Sequence, residues 1–173
     1  DGSALARRGL VVVTVNYRLG ALGGLAHPAL ADADTGEFAN WGLQDKLAAL
    51  RWVQRVIDAF GGDPGRVTIA GQSSGAMNVA VIGQMPQAAT LHHRRIVQSP
   101  PLFLPPMFSE LDPASQYTEA LARSLGVDVA GLRALDGPTI AQGEKAFLAL
   151  PEVAAKMPRP RTAPVRDGRL IRA

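Results

Sequence analysis

A chain of 173 residues, 47% hydrophobic and 19% charged, has enough apolar material for a hydrophobic core and too much to remain disordered. Its net charge of +3 is small, and the basic residues near its end, Lys156, Arg159, Arg161, Arg166, Arg169 and Arg172, belong to no recognisable nucleic-acid-binding module. The absence of cysteine excludes disulfides and thiol chemistry, and no apolar run reaches the length of a membrane span. A soluble globular domain with no nucleic-acid partner is expected, and its compartment stays open between cytoplasm and secretion. The chain starts at Asp1 without a methionine or targeting signal and stops soon after a Pro-rich stretch, which reads as a piece of a longer protein.

Leu10-Val11-Val12-Val13-Thr14-Val15 is a continuous apolar run, as expected of a parallel strand covered on both faces. Gly20 to Thr35 reads as a loop. Asn40 is placed to cap a helix whose stripe is Leu43, Leu47, Leu50, Val53 or Gln54, and Ile57. Gly61-Gly62-Asp63-Pro64-Gly65 ends that helix near Phe60 and turns the chain into a strand, Val67 to Ala70. A further helix and a short strand, Arg95 to Gln98, complete an alternation that implies parallel βαβ units. Pro100, Pro101, Pro105 and Pro106 break the pattern. Asp112-Pro113 then opens a helix carrying Tyr117, Leu121 and Leu125, with Gly126 as its stop. Val129 to Leu135 and Ile140 to Leu150 read as two more helices, Pro158 to Pro164 as extended chain, and Asp167-Gly168 as a turn.

Chemistry concentrates at Gly71-Gln72-Ser73-Ser74-Gly75, a G-x-S-x-G pattern with a β-branched strand before it and a helix-compatible stretch after it. That context is a nucleophile elbow, in which small residues flank a strained serine. The hydroxyl of Ser73 then projects from the carboxyl edge of a sheet over a helix N-terminus, which favours developing negative charge. The plainer reading is a glycine-rich strand-to-helix turn that does no chemistry.

Blocks around this pattern resemble the type B carboxylesterases, which include para-nitrobenzyl esterases and cholinesterases. They are Val12 to Gly20, Asn40-Trp41-Gly42-Leu43-Gln44-Asp45, Leu50-Arg51-Trp52-Val53, Phe60-Gly61-Gly62-Asp63-Pro64, and Val67 through the elbow to Ala76. Ile96-Val97-Gln98-Ser99 and Pro164-Val165-Arg166-Asp167-Gly168 resemble later blocks. The resemblance implies an α/β-hydrolase fold and hydrolysis of small carboxylic esters through an acyl-enzyme on Ser73, without a cofactor. It gives Ser74 a backbone N–H in the oxyanion hole. It implies one incomplete α/β-hydrolase domain, with a sheet core and elbow in residues 1–100 and a mainly helical excursion in residues 101–173.

The sequence departs from the family pattern at Gln72, where glutamate is usual, at Ser74, where alanine is usual, at Gly24 and at Pro100. The resemblance places a Gly-rich oxyanion loop, the triad acid and the triad histidine in blocks that have no counterpart here, so this chain alone is expected to turn over substrate negligibly and to self-associate. His92 and His93 follow the elbow helix, whose length carries them to the far end of the sheet from Ser73. His27 has no identifiable partner in sequence. Asp45, on a helix near Lys46 and Arg51, reads as a charge partner or a cap, and the resemblance implies a supporting role near the missing acid for Ser99 and a turn for Asp167. No metal-ligand spacing or phosphate loop is present. The alternative function is a cholinesterase-like adhesion or binding protein that has lost catalysis.

Overall fold

In the computed structural model, residues 2–101, 108–156 and 163–172 are described. They form α1 (Ser3–Ala6), α2 (Gly20–Gly24), α3 (Trp41–Val56), β1 (Thr68–Gln72), α4 (Ser74–Ile82), β2 (Arg94–Gln98), β3 (Ser109–Glu110), α5 (Leu111–Ser124), α6 (Gly137–Ala149), α7 (Pro151–Lys156) and β4 (Val165–Arg166). The expected extended stretch from Pro158 to Pro164 lies mostly outside the described residues, as do Pro105 and Pro106. Two units emerge: Asp1–Tyr17 with Leu43–Pro101, and Arg18–Gly42 with Leu102–Ala173.

The first unit is built on the strand–helix–strand alternation read from the sequence. β1 and β2 pair in parallel, from Thr68 opposite Arg94 to Gln72 opposite Gln98, and α4 lies against both strands. α4 buries Ala76, Val79, Val81 and Ile82, an almost wholly apolar face suited to covering a sheet. α3 buries Leu43, Leu47 and Val53, and Ile57 continues the stripe in the 3-10 turn that follows. A leucine buried as fully as Leu47, at 1% exposure, contributes roughly 1.5–3 kcal/mol. Gln54 takes the place of an apolar residue by donating to the carbonyls of Pro64 (2.9 Å) and Leu91 (3.2 Å). Gly61 ends the helical run with φ 77°, a left-handed conformation that costs glycine nothing.

The run from Leu10 to Val15 departs from expectation. It joins no ladder among the described residues, and Leu10 is 55% exposed rather than buried. Val11, Val12, Val13 and Val15 are exposed as well. A strand apolar on both faces needs a neighbour on each edge and a layer on each side, and no described segment supplies them.

Where that run ends, the Lys46 ammonium sits 3.3 Å from the centre of the Tyr17 ring. Burial pushes the Lys46 pKa down to about 8, against the opposing pull of Asp45. The folded state therefore gives up this proton before the unfolded chain, whose lysine titrates near 10.5. Stability is expected to rise as pH climbs from about 8 toward 10.5, since the cost of burying the cation disappears there. Urea midpoints measured across that window should slope upward in the wild type and less so in Lys46→Met.

The second unit is helical, with its core formed by Ala21, Leu25, Leu30, Tyr117, Leu121, Ala122, Leu132, Ile140, Phe147 and Val153. α5 presents Tyr117 and Leu121 to this core, and the Tyr117 and Phe147 rings meet in a tilted contact with centroids 5.9 Å apart. Leu125 closes the helix and Gly126 follows at φ 74°. α5 starts earlier than the Asp112-Pro113 signal indicates, with Glu110 as the residue before it and Pro113 inside its first turn. Asp136 caps α6 by accepting from the Thr139 N–H at 2.7 Å. The stretch expected as a helix at Val129 to Leu135 is a 3-10 turn, Ala130–Ala134.

Gly20 to Thr35 also holds more structure than a loop, namely α2 and a 3-10 turn at Pro28–Leu30. Tertiary contacts hold these pieces. The Glu144 carboxylate accepts from the Ala21 N–H at the start of α2 and from the Tyr117 hydroxyl, each at 2.8 Å. Thr118, fully buried, accepts from the Ala26 N–H, and its hydroxyl lies 3.0 Å from the carbonyls of both Ala26 and Ala114. β3 and β4 form a short parallel pair, Ser109 opposite Val165 and Glu110 opposite Arg166. Of the basic residues near the chain's end, Arg166 pairs with Glu110 at 3.0 Å and Arg169 donates to the Thr35 carbonyl at 3.0 Å. Both arginines are exposed, so the Arg166–Glu110 ion pair adds little stability.

Asn40 does something the sequence does not announce. It has φ 60°, precedes α3, and is 4% exposed. Its side-chain amide donates to the Val165 carbonyl and to Asp167 Oδ2, each at 2.9 Å, while its Oδ1 accepts from the Val165 N–H at 2.8 Å. The amide thus holds β4, because Val165 would otherwise leave two buried backbone groups unpaired.

Candidate active site

The corner between β1 and α4 is formed by the G-x-S-x-G residues. Ser73 has φ 55° and ψ −124°, outside the small left-handed basin open to ordinary residues. Holding a serine there costs on the order of 1–3 kcal/mol, and such strain persists only where the surroundings enforce it. Two features enforce it. The Ser73 N–H donates to the Gln98 carbonyl at 3.0 Å, so the end of β2 fixes the backbone on one side. On the other side, the Ser73 carbonyl accepts from the Met77 N–H at 3.2 Å, so the residue already belongs to α4.

A serine before a helix ordinarily has extended backbone and caps the helix with its hydroxyl. Ser73 does neither: its side chain makes no capping hydrogen bond. The half-buried hydroxyl is thus left for other chemistry, at the positive end of a nine-residue helix. Ser74 is the first residue of that helix, so its N–H has no carbonyl partner within it and projects near Ser73. The Ser74 carbonyl accepts from the Asn78 side-chain amide at 2.8 Å, which steadies the first turn.

Among the described residues, only one of the two flanking glycines is crowded. A Cβ on Gly71 would lie 2.3 Å from both C and O of Gly75, so β1 and α4 can approach this closely only without a side chain there. A Cβ on Gly75 would meet no described atom within 4 Å. The expectation that both glycines relieve crowding is corrected to Gly71 alone.

The other polar residues fall into place around this corner. His93 immediately precedes β2 and lies beside Val67, the residue before β1, its Nδ1 accepting from the Val67 N–H at 3.2 Å and its own N–H donating to the Val67 carbonyl at 2.8 Å. Ser73 follows the far end of the same five-residue strand, roughly 16 Å away. His92 Nδ1 bonds the Ala88 carbonyl at 3.0 Å. Neither histidine reaches the Ser73 hydroxyl. His27, in the second unit, has partners the sequence does not reveal: Nδ1 accepts from the Ala29 N–H at 3.0 Å, and Nε2 faces Glu119 Oε1 at 3.4 Å. Its proton therefore sits on Nε2.

Asp167 is a turn residue as expected, its Oδ1 accepting from the N–H groups of Arg169 (3.0 Å) and Ile171 (2.9 Å). Asp45 acts on the neighbouring Lys46 charge. Among the described residues no group of three or more His, Asp or Glu side chains could hold a metal ion. The contribution that sequence reasoning missed is the Gln98 carbonyl beneath Ser73. A signal for it exists, since β1 and β2 end in the same dipeptide, Gln72-Ser73 and Gln98-Ser99, and both serines have positive φ.

A family model described as the carboxylesterase family matches residues 1–169. A fumonisin B1 esterase from Sphingopyxis macrogoltabida is 42% identical over 173 residues, which is 99% of this chain and 31% of that protein. A para-nitrobenzyl esterase from Bacillus subtilis is 46% identical over 100 residues, 57% of this chain and 20% of that one. Among solved structures, a carboxylesterase from Geobacillus stearothermophilus superposes with a TM-score of 0.83 at 32% identity, covering all of this chain and 36% of the other. The fold is that of these α/β-hydrolase esterases, and the chain spans about a third or less of the length of these relatives.

Proposed function

Because this chain belongs to the carboxylesterase family, we propose that the protein hydrolyses carboxylic esters with Ser73 as the nucleophile and the Ser74 N–H as one oxyanion donor. The observation that carries this reading is the strained, non-capping serine at a strand-to-helix corner that tolerates no side chain at Gly71. A fold that only needed a turn there would relax it at no cost, since most residues turn a chain without this strain.

In the proposed reaction the Ser73 oxygen attacks the ester carbonyl as a base removes its proton. The oxyanion of the tetrahedral intermediate takes a hydrogen bond from the Ser74 N–H, aligned with the dipole of α4. Collapse expels the alcohol and leaves an acyl-Ser73 ester, which water then hydrolyses by the same steps in reverse order. His92 and His93 cannot serve as the base, which must come within about 3 Å of the hydroxyl.

A fluorophosphonate probe tests the assignment. The natural protein that carries this chain should be phosphonylated on Ser73, as mapped by peptide mass spectrometry. Ser73→Ala should remove the label and lower ester turnover by at least about 10³-fold. Labelling at another serine, or undiminished turnover in the variant, would overturn the assignment. An unlabelled protein without esterase activity would point to a binding role on an esterase scaffold.

A further inference from the structure

The Ser74 N–H belongs to the peptide plane between Ser73 and Ser74, and that plane and its two neighbours are each held by a hydrogen bond. In the plane before it, the Ser73 N–H donates to the Gln98 carbonyl at 3.0 Å. In the plane itself, the Ser73 carbonyl accepts from the Met77 N–H at 3.2 Å, the longest of these bonds. In the plane after it, the Ser74 carbonyl accepts from the Asn78 side-chain amide at 2.8 Å. The first two bonds are made by the backbone alone. The last is made by a side chain, one turn further along α4.

Asparagine is a weaker helix former than alanine because its amide competes for nearby backbone groups. Asn78 directs that competition at the carbonyl joined to Gly75, the second residue of α4. Glycine leaves the backbone freer than any other residue, so this is the loosest joint of the first turn. Only φ and ψ of Ser74 separate the Ser74–Gly75 plane from the plane that carries the Ser74 N–H. A tilt of the one therefore re-aims the other, and a hydrogen bond weakens steeply as its angle departs from linear. The Asn78 amide ties this joint to the second turn of α4.

Resting on the proposed roles of Ser73 and Ser74, we propose that Asn78 is a positioning residue for ester hydrolysis. Its side-chain amide holds the first turn of α4 so that the Ser74 N–H points at the oxyanion.

The test measures kcat and KM of the natural protein for 4-nitrophenyl butyrate, and the Ki of an alkyl trifluoromethyl ketone, whose adduct with a serine carries the oxyanion. Losing an oxyanion donor outright costs about 10²–10³-fold, so a misaimed one in Asn78→Ala should lower kcat about tenfold with KM within about twofold. The trifluoromethyl ketone Ki should rise by the factor by which kcat/KM falls, which a loss of stability alone would not produce. Asn78→Ser, whose hydroxyl can donate to the same carbonyl, should keep kcat within about threefold of the wild type. Asn78→Leu, close to asparagine in size and a good helix former, serves if Asn78→Ala fails to fold. An unchanged kcat in the folded variant without the donor overturns the proposal, as does a loss confined to KM or one equally deep in Asn78→Ser. Ser73→Ala is run alongside. Intact turnover there overturns the role of Ser73 and this proposal with it, whereas an inactive Ser73→Ala beside an unimpaired Asn78→Ala overturns the positioning role alone.

Discussion

Gly71→Val is expected to abolish phosphonylation of Ser73 and to destabilise the first unit by about 3 kcal/mol. The new Cβ would lie 2.3 Å from C and O of Gly75 and 2.8 Å from the Ala76 nitrogen. All three are backbone atoms in the first turn of α4, so none can swing aside as a flexible side chain would. Relief requires α4 to move off the sheet or Ser73 to leave its φ 55°, ψ −124° conformation, and either change displaces the hydroxyl. Gly75→Ala is the matched control. Its Cβ meets nothing described within 4 Å, and alanine favours a helix over glycine by about 1 kcal/mol. The control should label normally and melt at the same temperature or higher. Normal labelling of Gly71→Val would show that the close approach of strand and helix is not what orients Ser73.

Asn40→Ala should cost the second unit about 3 kcal/mol, read as a lowered urea midpoint with an unchanged slope. The alanine removes one acceptor and two donated hydrogen bonds from a residue 4% exposed. It strands the Val165 N–H and carbonyl, and it takes a donor from the buried Asp167 carboxylate. A backbone at φ 60° adds a smaller penalty, because alanine visits that region less readily than asparagine. Asn40→Gly separates the two effects: it relieves the backbone but restores no hydrogen bond, so it should recover at most about 1 kcal/mol. Asn40→Asp should also destabilise, since it sets a second carboxylate against Asp167 and the Val165 carbonyl. A midpoint for Asn40→Ala within error of the wild type would remove this network from the account of stability.

How far each feature was legible depended on how far its partners lie along the chain. The corner at Gly71 to Gly75 was legible because its strand, turn and helix are consecutive. So were the α3 stripe and the Gly61 stop, since helical periodicity and a left-handed glycine are local signals. α2 was read as loop because a carboxylate 123 residues away holds its start. His27 looked partnerless because Glu119 lies 92 positions further along the chain. The position of Asn40 beside a helix is a local signal, whereas its bonds to Val165 and Asp167 were not legible because those residues are 125 and 127 positions distant.

By itself, then, the sequence determined the alternation of strand and helix, the serine at the corner and the family to which the blocks around it belong. These rest on periodicity, turn chemistry and short ordered motifs, all carried by neighbouring residues. Only the tertiary structure decided that described atoms crowd Gly71 rather than Gly75, that the Gln98 carbonyl fixes Ser73 from the adjacent strand, and that Leu10 to Val15 has no ladder among the described residues. Hydrophobicity says that a strand can be buried; hydrogen-bonding neighbours decide whether it is.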